Sequence, residues 1–79
     1  MASDTVSIPL TREQAIVLFE WLSREDSKEA IPTAHVAEQK VLWTIEAWLE
    51  RTLVEPLQPN YNEILEAARA CVSAGGGTE

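Results

Sequence analysis

Seventy-nine residues make one small domain at most. A chain this short has a marginal core of its own and usually needs a disulfide, a metal or an oligomer interface to stiffen it. One cysteine (Cys71) excludes an internal disulfide, and one histidine (His35) cannot complete a zinc site with it, so oligomerisation is the support left over. Thirteen acidic against six basic residues give a net charge of −7. The basic residues Arg12, Arg24, Lys28, Lys40, Arg51 and Arg69 are scattered, which argues against nucleic-acid and anionic-membrane partners.

The chain opens MASDTVSIPL, with no charged-then-apolar leader pattern, and its longest apolar run, Ala15 to Phe19, is too short for a bilayer. A cytoplasmic protein is expected. Residues 1–9 and 74–79 read as flexible tails around a single helical domain at 10–73; the second tail holds Gly75-Gly76-Gly77.

The first helix begins at Thr11. Thr11-Arg12-Glu13-Gln14 matches a capping box, in which the threonine oxygen accepts from the Gln14 amide and the Gln14 side chain reaches back. Leu10 is placed to staple onto the first turn, and the helix runs to about Arg24 or Glu25, where Asp26-Ser27-Lys28 opens a polar loop. Its core face is Ala15, Leu18, Phe19 and Leu22; Val17 and Trp21 form a narrower second pair.

Ile31-Pro32 is extended, because proline disfavours the α conformation in the residue before it. Thr33 is the expected cap of a long central helix from Ala34 to about Val54, stopped by Glu55-Pro56. At about 100° per residue, Val41, Leu42, Ile45, Trp48, Leu49 and Leu53 share its main face. Roughly opposite lies a second apolar stripe, Val36, Trp43, Ala47 and Val54, flanked by Lys40, Arg51, Gln39 and Glu50. A helix apolar on two sides is normally covered on two sides. Either the other two helices each take one side, or another chain covers the second stripe.

After Pro56-Leu57-Gln58-Pro59, Asn60 caps a third helix, with Glu63 at the capping-box position. Tyr61, Ile64, Leu65, Ala68, Cys71 and Val72 share its inner face, where Cys71 acts as a small hydrophobe. No strand pattern occurs, so the fold is all-α: a small three-helix domain with a long central helix, pairing into a helical homodimer.

The sequence carries no complete catalytic or metal-binding constellation. His35-Val36-Ala37-Glu38 sets an imidazole and a carboxylate one turn apart, but once and in the reverse order of the helical di-iron motif. Glu38 falls in the main apolar face, where it sits either at the core edge near the helix start or buried against a partner group. No nucleophile elbow or phosphate loop is present, and no cofactor, metal or small-molecule substrate is expected.

The sequence therefore points to a non-enzymatic interaction module (an adaptor, regulator or subunit) whose partner is itself, another protein or both. Its candidate contact residues are Trp21, Val36, Trp43, Ala47 and Val54. Tryptophan is favoured at interface centres, and a two-fold dimer needs only one self-complementary surface. An alternative follows from the acidity: an immunity-type inhibitor or nucleic-acid mimic that blocks a basic site, whose complex salt would weaken.

Overall fold

In a computed structural model, residues 5–75 form three α-helices and one 3-10 turn, with no strand among these described residues. Of the expected tails, residues 1–4 and 76–79 lie outside the described residues. Residues 5–10 form an arm without regular structure.

Helix α1 spans Arg12–Ser27. The Thr11 capping box forms in full: the Gln14 amide donates to Thr11 Oγ1 over 3.1 Å, and the Thr11 amide donates to Gln14 Oε1 over 2.9 Å. At its other end the Glu29 amide donates to the Asp26 carbonyl over 3.0 Å, and the Ala30 amide to the Glu25 carbonyl over 3.0 Å. That pair of bonds is a Schellman closure, which needs a left-handed residue between them. Glu29 fills this place at φ 53°, where glycine would carry no Cβ penalty.

Helix α2 spans Val36–Thr52 and is the longest at 17 residues. It starts two residues later than expected. His35, rather than Thr33, is its cap, with Nδ1 accepting the Ala37 amide over 2.9 Å. Glu38 is exposed rather than part of the core, and its carboxylate accepts the Ala34 amide over 2.6 Å. Both residues thus satisfy free amides at the helix start. Leu53 turns extended and ends the helix, and Pro56 sits in the 3-10 turn Glu55–Leu57 that follows.

Helix α3 spans Tyr61–Ser73. Asn60 occupies the cap position, but its side chain makes no capping bond, so the expected box with Glu63 does not form. Gly75 closes the far end at φ 86°, with its amide donating to the Val72 carbonyl.

Helix α1 is the spatial centre. The arm end and start of α1 (Leu10, Arg12, Ala15) share a groove with Leu49 and Leu53, while Asp26 at its other end bonds Gln39 and Trp43. Helices α1 and α2 therefore run antiparallel. Likewise Tyr61 reaches Glu20, and Ala68 and Cys71 lie beside Arg12 and Ile16, so α3 also runs antiparallel to α1. Helices α2 and α3 hardly meet. The core is correspondingly thin: Ala15, Ile16, Leu22, Leu49, Leu53, Leu65 and Ala68. The chain's Cα radius of gyration, 13.9 Å, exceeds the roughly 12 Å of a tightly packed chain of this length.

Candidate functional site

Because α1 alone packs substantially on α2, one face of that helix is covered and both its flanks stay open. Leu49 and Leu53 are buried, and Leu42 and Ile45 are half-buried against the core. Val41 and Trp48 share the main apolar face in sequence, yet they are exposed; Trp48 keeps 56% of its surface. The expectation that this face would be core holds only for its centre, since no third helix reaches its edge.

Trp48 forms part of an apolar groove of about 470 Å³ with Val6, Ile8, Leu10, Leu18 and Ile45. The arm forms one wall of this groove while Val6 and Ile8 keep most of their own surface in solvent.

On the opposite flank Trp43 is 50% exposed, and Val36 and Val54 are also exposed; Ala47 is intermediate. Val36, Trp43 and Ala47 share one side of α2, turned away from Leu49, whereas Val54 lies beyond the extended Leu53 and caps the 3-10 turn. Trp21 is exposed on α1, one turn from the groove residue Leu18, so it is aligned with the Trp48 side rather than with Trp43. The five candidate contact residues thus fall on two surfaces. The sequence reading placed Trp48 and Val41 in the core face and residues 1–9 in a free tail, so it missed the groove that Val6 and Ile8 form with Trp48, which the apolar alternation of the arm could have marked.

Trp43 is held in one orientation. Its indole Nε1 donates to Asp26 Oδ1 over 3.0 Å, and Gln39 Nε2 donates to the same oxygen over 2.9 Å. An aromatic ring fixed from one edge loses little freedom on docking. Around Asp26 and Trp43, residues Glu29, Ile31, Thr33 and Gln39 line an open hollow of about 530 Å³. Glu46, on the same side of α2, has its carboxyl pushed above the usual range by burial, with the charges of Asp26 and Glu50 adding to it.

Elsewhere, Tyr61 Oη donates to Glu20 Oε1 over 3.0 Å, and burial together with this carboxylate pushes the phenol up to about 12. The bond from Arg12 Nε to Glu55 Oε2 over 2.5 Å holds the Glu55 carboxyl below its usual value. These two contacts fasten α3 and the 3-10 turn to α1. Among the described residues no three His, Cys, Asp or Glu side chains converge on a point, and no helix is long and apolar enough to cross a membrane.

Comparison with family models, with curated proteins and with solved structures finds no match. The class defined by fold and surface is a small all-α domain with an under-covered helix.

Proposed function

We propose that this chain is a non-enzymatic interaction module of the cytoplasm that self-associates through α2. The carrying observation is that α2 bears half-exposed tryptophans, Trp43 and Trp48, on opposite flanks. Leaving two such rings in water forgoes much of the burial available to them, on the order of 25 cal/mol per Å². A seven-residue core supports the same reading, since so thin a core gains from an oligomer interface. The free thiol of Cys71 suits a reducing compartment.

Sedimentation equilibrium under reducing conditions tests the proposal directly. The expected result is a concentration-dependent dimer for the native chain, and a shift towards monomer for Trp43→Glu with helical circular dichroism largely retained. A native chain that stays monomeric throughout the concentration range would overturn the reading. A Trp43→Glu chain that simply unfolds would assign Trp43 to the intramolecular core.

A further inference from the structure

Along the outer side of α2, Val36, Lys40, Trp43, Ala47 and Glu50 follow one another at intervals of four, three, four and three residues, and Val54, two residues past the helix end, continues that spacing in sequence. That is the spacing of a helix–helix seam, in which positions alternate so as to keep facing a partner. Lys40 and Glu50, left aside above as flanking charges, are therefore members of the same row as Trp43 and Ala47. Both are exposed, and neither enters a salt bridge within the described residues.

The row has an internal symmetry. Val36 and Val54 stand equally far on either side of Ile45, and so do Lys40 and Glu50, and Trp43 and Ala47. When two copies of a helix lie antiparallel about a two-fold axis, each residue faces the position that mirrors it across the helix centre. Reflected this way, the row pairs valine with valine, lysine with glutamate, and the largest side chain with one of the smallest. Each pairing occurs twice, as an isologous interface demands.

We infer that α2 docks against α2 of a second copy in an antiparallel register centred on Ile45, with Trp43 packing over Ala47 of the partner subunit and Lys40 facing Glu50 of the partner subunit. This rests on the self-association proposed above and specifies its geometry. Charge complementarity selects the occupant: a parallel pairing would set Lys40 against lysine and Glu50 against glutamate. The surface is accessible, because α1 covers the Leu49 side of α2 and the row lies on the other. The Asp26–Trp43 bond ties one edge of the ring to α1 while half of its surface stays exposed. At 17 residues the helical part of the seam is about 26 Å long, which places the dimer among weak, concentration-dependent ones.

Charge reversal reads the register. Lys40→Glu and Glu50→Lys, each alone, set like charges opposite one another twice per dimer, and each should raise the dimer dissociation constant roughly tenfold. The double variant restores the pairs with their signs exchanged and should return close to native affinity. An equimolar mixture of the two single variants should form a mixed dimer tighter than either alone, because every Lys40–Glu50 position then carries opposite charges. Glu50→Lys also separates local pairing from overall repulsion. It lowers the magnitude of the net charge of −7, so a bulk effect tightens the dimer whereas the register loosens it. Sedimentation equilibrium of the four chains and the mixture supplies all readings. A native monomer overturns both self-association and register. A native dimer whose single variants mix without gain overturns the register alone.

Discussion

Replacing Glu29 by glycine should stabilise the domain. Glu29 holds φ at 53° because the Schellman closure of α1 requires a left-handed residue between the two bonds to Asp26 and Glu25. An L-residue pays about 1–2 kcal/mol for that conformation, since its Cβ crowds the following carbonyl. Glycine escapes the crowding but makes the unfolded chain freer, which returns about 0.4–1 kcal/mol. The net gain spans about 0–1.6 kcal/mol, and its midpoint of about 0.8 kcal/mol is equivalent to a rise in Tm of about 3–6 °C for a domain of this size. The substitution also removes a negative charge beside the carbonyl end of a helix, itself a small gain. Glu29→Gln isolates that part, because it neutralises the side chain and keeps the Cβ. Thermal melts of the native chain, Glu29→Gly and Glu29→Gln at one protein concentration make the comparison. If the glycine and glutamine variants melt together, the strain argument is refuted and only the charge mattered.

Three further outcomes follow from the packing and its titrating groups. Leu22→Ala empties a site that is 1% exposed at the centre of α1; it should cost about 3 kcal/mol and leave much of the chain unfolded by circular dichroism. Tyr61 is the sole tyrosine, so ultraviolet tyrosinate absorbance reports it directly, and it should ionise near 12 when folded against 10.0 when unfolded. A folded value above the unfolded one means the stabilisation is complete below pH 10.0 and is lost as pH rises through the window to 12; Tyr61→Phe should flatten stability across that window. Glu55 has the opposite sign: held low by the Arg12 bond, it stabilises above its ordinary value of 4.5 and stops doing so as pH falls below it. Arg12→Ala should therefore cost about 1 kcal/mol at neutral pH in urea melts and leave a shallower acid limb.

The third helix was readable because it has one apolar side, and the start of the first because of its capping box, but buried Ile16 fell outside the expected face of Ala15, Leu18, Phe19 and Leu22, since α1 packs on two helices. Thr11 and Gln14 meet as their spacing requires. Periodicity on α2 identified which residues share a side, but it carries no information on which side a neighbour covers. Val41 and Trp48 looked interior for that reason, and they surface because α3 packs on α1 instead of on α2. The start of α2 was misplaced because threonine is a common cap and an imidazole an uncommon one, so His35 was overlooked beside Thr33. Glu29 leaves no sequence trace at all. Its backbone is dictated by how α1 must close, and glutamate has no preference for the left-handed region.

A chain in which α1 touches both other helices while those two hardly touch each other has an uneven resistance to opening. Helix α2 can lift away and leave α1 packed on α3, and α3 can lift away and leave the α1–α2 hairpin. No comparable partial opening releases α1, since freeing it dissolves the whole core. In native-state hydrogen exchange the interior amides of α1 should track global unfolding, whereas those of α2 and α3 exchange through separate, cheaper openings. Association through α2 would then do more than hide tryptophan: it would slow exchange in that helix and leave α3 as the first element to yield.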